Sequence, residues 1–212
     1  MHIVIIILKI LEIQYNKTIN IFRNITQKKE NYMLYKVRRA DQNDHLAIET
    51  FYKDALPHID PIQTSWIPGV YPHISDALVA VLKDEFFICL DEKGVVVGSV
   101  ILNTDSQEAY KALNWSKSSD ESDQKSLVVH TLIAHPKRLN QGIASQIIDF
   151  IKMFAVKNNM YAIRLDTLVD NVPARRLYEK NGFAYIGRYD LPSFDNQGID
   201  DCVFYEFQII NA

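Results

Sequence analysis

Cysteine is nearly absent from this 212-residue chain: only Cys89 and Cys202 occur. They lie far apart, among apolar neighbours, with no Cys-x-x-Cys and no His/Cys cluster. That excludes a disulfide framework and points to no metal, leaving two reduced, buried thiols as the expectation. Glycine is also scarce, with seven residues. No Gly-Lys-Ser/Thr follows a glycine-rich loop, so there is no Walker A motif. A dinucleotide fingerprint is excluded as well, because only one of its glycines is present. A basic excess is missing too: 23 Lys and Arg stand against 26 Asp and Glu, for a net charge of −3 and a pI near 6.1. Nucleic acid is therefore not expected as a partner. Finally, the chain has no long apolar run. Ile3 to Leu8 is too short to span a bilayer, is soon interrupted by Lys9 and Glu12, follows no basic segment and precedes no small-residue cleavage site. No membrane partner is expected, and the expected location is cytoplasmic.

What is present is ordinary globular composition, 48% hydrophobic and 23% charged, in a length that suits one full core. Residues 1–32 read as an extension outside the domain, because Met33 opens directly onto a strand-like segment. The opposing reading is an added helix that docks on the domain or on a partner. The domain itself is expected over residues 33–212.

Tyr35 to Arg39 reads as a first strand. Asp41 is a good N-cap for a helix through His45 to Phe51, which Pro57 stops. Pro57 to Pro72 is rich in proline and aromatics and reads as a structured loop. Ser75 is placed to cap a second helix with an inner face of Ala77, Leu78, Val81 and Leu82. Glu85 to Leu90 and Val95 to Leu102 form a hairpin around Asp91-Glu92-Lys93-Gly94. Thr104 to Ser126 is a long polar connection containing Tyr110 and Trp115, of the kind that is functional or mobile. Further strands are expected at Leu127 to Ala134, Tyr161 to Thr167, Phe183 to Tyr189 and Cys202 to Ile209. A helix from Gly142 to about Asn158 lines up Ile143, Ile147, Ile151 and Phe154. Another is framed by Asn171, Pro173 and Gly182. The pattern is one α/β domain with a mixed sheet and no internal repeat.

The most informative stretch runs from Leu127 to Phe183. An apolar strand ends at His135-Pro136, and Lys137-Arg138 lead into Leu139-Asn140-Gln141-Gly142-Ile143-Ala144-Ser145 and a long amphipathic helix. A turn with a small residue at its tip, opening a helix, leaves backbone N–H groups free for an anion. Gly142 and Ala144 keep side chains out of the way, and the helix dipole adds roughly 0.3–1 kcal/mol per exposed charge. This points to a phosphate-bearing cofactor.

The run from Leu127 to Phe183 is similar to the cofactor-binding core of the GNAT superfamily of acyl-CoA N-acyltransferases. The superfamily's Arg/Gln-x-x-Gly-x-Gly/Ala pattern falls on Leu139 to Ala144, with Leu139 standing where Arg or Gln is usual. The second half matches Asn171, Ala174, Leu177-Tyr178-Glu179-Lys180 and Gly182-Phe183. The resemblance implies a single GNAT-like α/β domain. Its mixed, mostly antiparallel sheet would have six to seven strands and about four flanking helices, with parallel strands 4 and 5 splayed apart.

It also implies acetyl-CoA as co-substrate and no metal. The pantetheine arm would bond the backbone of Leu132, Ile133 and Ala134, and the pyrophosphate would sit on the amides of Leu139, Asn140, Gln141, Gly142, Ile143, Ala144 and Ser145. Arg138, Lys137 or Arg175 would pair with remaining phosphate charge. Asn171 would cap its helix and contact the cofactor arm, and Tyr178 would give a proton to the leaving thiolate.

The acceptor amine needs a base. His130 titrates near neutrality and, by strand alternation, shares a face with Leu132. Asp166 is the rival. His58 and His73 would line the acceptor side, and His135 would be a turn residue. The implied reaction is direct acetyl transfer to a primary amine, a small molecule or a protein, with no acyl-enzyme, since neither cysteine lies in the motifs. A non-catalytic acyl-CoA-binding module of the same fold is the alternative. Dimers being common in the family, a homodimer is one of the states left open.

Overall fold

Alternating apolar residues and two pairs of amphipathic helices build one sheet covered on both faces. The computed structural model describes residues 35–116 and 125–209; the extension expected over residues 1–32 lies outside them. The strands are β1 (Lys36–Arg39), β2 (Phe86–Leu90), β3 (Val96–Asn103), β4 (Ser126–Ala134), β5 (Ala162–Leu168), β6 (Ala184–Pro192) and β7 (Ile199–Gln208). The helices are α1 (His45–Ala55), α2 (Ile74–Leu82), α3 (Ile143–Lys157) and α4 (Val172–Lys180). The sheet has seven strands in the order β1-β2-β3-β4-β5-β7-β6. Only β4 and β5 pair in parallel, joined by the α3 crossover that a parallel pair requires.

Helix α3 buries Ile143, Ile147, Ile148 and Ile151 against Val97, Leu127, Val129 and Ile163 on one face, where Tyr178 of α4 joins the same cluster. On the opposite face α1 and α2 bury Ile48, Phe51, Tyr52, Ala77 and Val81 over Phe86, Ile88 and Ile133. Several details differ from the sequence expectations. His73, not Ser75, caps α2: its ring accepts from Ser75 N while Asp76 reciprocates. Leu82 is 71% exposed and Ala80 is buried instead, because Ala77, Ala80 and Val81 stand at i, i+3 and i+4 on one face of the helix, which Leu82 leaves. Strands β6 and β7 extend to Pro192 and back to Ile199. Their polar ends pair as an edge ribbon, where Asp190 lies opposite Asp201 and Arg188 forms an ion pair with Asp201.

The long connection is half built into the core. Tyr110, in a short 3₁₀ turn, is buried and stacks on Trp115 at 5.4 Å between ring centres, and both rings pack on Phe204. Trp115 lies under the Arg164 guanidinium at 4.3 Å, and Arg164 is itself paired with buried Glu206 at 3.0 Å. Glu206 also accepts from Ser116 N. Removing either partner of such a pair would leave a buried charge uncompensated, so Arg164 and Glu206 hold the connection down beside β5.

Gly98 lets α3 settle against the sheet. A Cβ there would stand 2.9 Å from the Ile133 carbonyl oxygen, 2.9 Å from Ile147 Cδ1 and 3.0 Å from Ile143 Cγ2. One of these neighbours is backbone and cannot swing away. Gly98→Ala should therefore cost about 1–3 kcal/mol by overpacking, read as a lower urea midpoint with an unchanged slope. An unchanged midpoint would show that the α3–sheet contact has slack.

Candidate active site

Strands β4 and β5 pair only at Ser126↔Ala162, Leu127↔Ile163 and Val128↔Arg164. Beyond that they part, while β4 stays bonded to β3 and β5 to β7. On β3 two steps, Ser99 to Ile101, span three on β4, Ile133 back to His130. The extra residue is Thr131, at φ 49. Left-handed backbone is rare for a β-branched residue, and a bulge of this kind bends the strand and re-aims its side chains.

The bulge changes which residues share a face. Leu127 and Val129 belong to the α3 side, and so do Leu132 and Ala134, although Val129 and Leu132 are an odd number of residues apart. His130 therefore does not share a face with Leu132; it turns the other way, toward β3. Its Nε2 lies 2.9 Å from Asn103 Oδ1 and 3.1 Å from the Asp105 carbonyl oxygen. Both partners are acceptors, so Nε2 carries the hydrogen and Nδ1 is the basic nitrogen of the neutral ring. Burial draws the His130 pKa below the ordinary imidazole value, against the opposing pull of Asp166.

The gap opens into a cavity of about 1120 Å³, larger than the usual single-ligand pocket of about 300–1,000 Å³. His130, Leu132, Ile133, Ala134, Asn171, Tyr178 and every residue from Leu139 to Ser145 line it. Among the described residues, none of the amides from Leu139 to Ser145 donates to a protein acceptor; the first bond of the helix runs from Gln146 N to the Gly142 carbonyl oxygen. Gly142 sits at φ 83 as the N-cap of α3, and this left-handed turn exposes the amides that follow. Unpartnered donors at a helix start fit a pyrophosphate. The unpaired inner edge of β4 fits an extended arm that bonds as a strand would. On both counts the residues suit acetyl-CoA.

Tyr178 is buried, its ring packed on Phe183 and Tyr205 at 6.0 and 5.8 Å. Burial pushes its phenol pKa well up, with the Asp166 charge adding to the effect, so the hydroxyl keeps its proton at any working pH. Asp166 accepts from Tyr110 Oη at 2.6 Å. Burial raises its pKa, while the Tyr110 bond and the His130 charge lower it. Asn171 caps α4 by accepting from Ala174 N and donates to Thr167 Oγ1, which leaves one amide hydrogen without a protein partner.

The cationic residues sort themselves out. Lys137 is bound to Asp54 at 2.6 Å, and Arg175 to the Val169 carbonyl oxygen and the Tyr205 hydroxyl; neither lines the cavity. Arg138 does, with one arm on Asp91. Arg176 and Lys180 also line it, four apart on one face of α4; the sequence reading gave neither a role, although Lys180 stands in the run that resembles the superfamily. His58 lines the cavity and His73 does not, being occupied as a helix cap. His135 is a turn residue bridging Asp54 and Lys137 N. Cys202 borders the cavity, but burial pushes both its thiol and that of Cys89 up to about 12. Neither is a thiolate near neutrality.

Comparison with known proteins identifies the family. The family model described as the acetyltransferase (GNAT) family matches residues 41–183, and the chain belongs to that family. It is similar to the streptothricin acetyltransferase of Escherichia coli, 39% identical over 64 residues, which are 30% of this chain and 36% of that protein. The match thus spans about a third of the relative's length. Among solved structures, a GNAT-family acetyltransferase from Streptococcus agalactiae superposes with a TM-score of 0.65 at 18% identity, covering 82% of this chain and 95% of the other. The yncA protein of Salmonella typhimurium, solved with its cofactor acetyl-CoA, gives 0.59 at 16% identity, covering 82% and 94%. At such identities the two structures speak for the fold. No helix among the described residues is long and apolar enough to cross a membrane.

Proposed function

We propose that the chain is a cytoplasmic N-acetyltransferase that moves the acetyl group of acetyl-CoA to a primary amine by direct attack in a ternary complex. The observation that carries this reading is one cavity that joins unpartnered amides at a helix start, an unpaired strand edge, a protonated phenol and a neutral imidazole. When bound, acetyl-CoA supplies an activated acyl carbon and a thiol leaving group.

The chain's own residues do the rest. The amides from Leu139 to Ser145 hold phosphate oxygens, with Arg138, Arg176 and Lys180 lining the same cavity. The backbone of Leu132, Ile133 and Ala134 bonds the extended arm, and Asn171 donates its remaining amide hydrogen to it. A β4 N–H stabilises the developing oxyanion. His130 takes the amine proton on Nδ1, and Asp166 stabilises the resulting imidazolium across the gap. Tyr178 gives its proton to the departing sulfur. With both thiols held protonated, no acyl-cysteine is needed. The E. coli relative acts on streptothricin by name, so that compound belongs in the acceptor panel beside simple amines.

Tyr178→Phe should lower turnover by about 10²–10⁴-fold in a thiol-release assay while acetyl-CoA affinity, measured by calorimetry, changes little. Equal losses in both would assign Tyr178 a packing role. A folded protein that binds acetyl-CoA yet transfers to no amine would make the chain a non-catalytic acyl-CoA module. The pH profile tests the base. Because the His130 pKa is lowered, its neutral form persists below the ordinary imidazole value of about 6.5. The log of kcat/KM should stay level through neutrality and fall only as pH drops through that lowered value. His130→Gln should remove this acidic limb along with most of the rate; a limb that survives would pass the role to Asp166.

A further inference from the structure

Charge and aromaticity are unevenly distributed along the cavity wall. The cations that line it, Arg138, Arg176 and Lys180, all belong to the turn after β4 or to α4. Trp66, Tyr71 and Phe194 line it too, and their segments contribute no Lys or Arg; the lining acids are Asp60, Asp149 and Asp166, of which Asp149 belongs to α3, while Asp60 follows His58 in the loop before Trp66 and accepts from Ile62 N and Gln63 Nε2. The lining cations and the lining aromatic rings thus come from different elements of the chain.

The aromatic wall is built by two separate turns. Trp66 and Tyr71 are brought together by the small bridge Ile67↔Tyr71, with Gly69 at φ 80 at its tip, and their rings meet edge to face at 6.5 Å. Phe194 comes from the β6–β7 turn. There Ser193 Oγ accepts from Gly198 N and donates to Asp195, and Asp195 also accepts from Gln197 N. Phe194 stacks on Tyr71 at 3.9 Å and 12°. The Tyr71 hydroxyl is hydrogen-bonded to Thr131 Oγ1, the bulge residue next to His130, so the wall begins where the base is. The ring–cation contacts of the described residues involve Phe87, Phe183, Phe207, Trp115 and Tyr161 and none of these three rings. Aromatic rings that make no ring–cation contact within the protein, in a cavity that also holds carboxylates, favour a cationic guest.

We propose that the acceptor is a multiply charged amine: a di- or polyamine whose second cationic group is held by the Trp66–Tyr71–Phe194 wall and Asp60 while its first amine is acetylated. The inference rests on the acetyltransferase reading of the same cavity. The second charge follows from the chemistry. The attacking nitrogen gives its proton to His130 and is neutral when its bond to the acyl carbon forms and the carbon–sulfur bond breaks, with Tyr178 supplying the proton to sulfur. A wall selective for positive charge discriminates at that stage only if the acceptor carries another cation.

The test compares 1,5-diaminopentane with pentylamine, the same chain lacking the second amine, by calorimetric titration into the full-length protein saturated with CoA, and by turnover with acetyl-CoA. The diamine is expected to bind about tenfold more tightly. Phe194→Leu, in an exposed turn, and Asp60→Asn should each shrink that advantage without altering CoA affinity. Equal affinity for the two amines, or an advantage that survives both substitutions, overturns the proposal. Failure of the transferase reading has a different signature: the diamine preference persists in binding, but neither amine is acetylated.

Discussion

The site depends on a parting of two strands. β4 and β5 are bonded for three residues and then diverge, so that backbone donors and acceptors in the middle of a sheet face each other without pairing. Buried main-chain polar groups are costly to leave unmatched, so something must hold the strands open. Each is anchored on its outer side, β4 to β3 and β5 to β7. The bulge at Thr131 bends β4 at the point of divergence, and Thr131 is itself pinned by Tyr71. Asp166 and Tyr178 line the cavity that opens there. The opening is thus built into the sheet and leaves an unpaired strand edge.

The same divergence sets the electrostatics. Residues at the mouth lose contact with water without gaining strong ionic partners, and their proton affinities move accordingly. Tyr178 and Tyr110 hold their protons more firmly, His130 less firmly, and Asp166 more firmly than a solvated carboxylate. Imidazole and carboxylate approach one another in proton affinity, while the phenol is fixed as a donor. That division of labour suits a reaction in which one proton leaves an amine and another reaches a sulfur atom. The helix start with its unpartnered amides and the rings of Trp66, Tyr71 and Phe194 line the same cavity.

Much of this was legible in the chain. The apolar period of α3, the Gly142 turn and the Asn171–Gly182 frame around α4 are local signals, and the helices stand where those signals put them. The strand order is also consistent with the resemblance to acyl-CoA acyltransferases. Features that depend on registry were not legible. No residue type announces the bulge at Thr131, so strand alternation placed His130 on the face of Leu132, which it leaves. Lys137 and Arg175 carry the right charge for phosphate but are consumed by Asp54 and by Tyr205 and the Val169 carbonyl. Arg176 and Lys180 reach the cavity only because of how α4 is rotated. Trp66 and Tyr71 lay in a stretch marked as aromatic-rich, but their convergence with Phe194, well over a hundred residues later, comes from tertiary structure alone.

The most direct test of the central claim follows amide hydrogen exchange by mass spectrometry in the full-length protein, with and without saturating acetyl-CoA. If the parted strand edge and the start of α3 form the ligand's main-chain partners, peptides covering Leu132 to Ala134 and Leu139 to Ser145 should become strongly protected, while the β6–β7 ribbon exchanges as before. Saturable binding that leaves those two segments as fast as in the free protein would contradict the account.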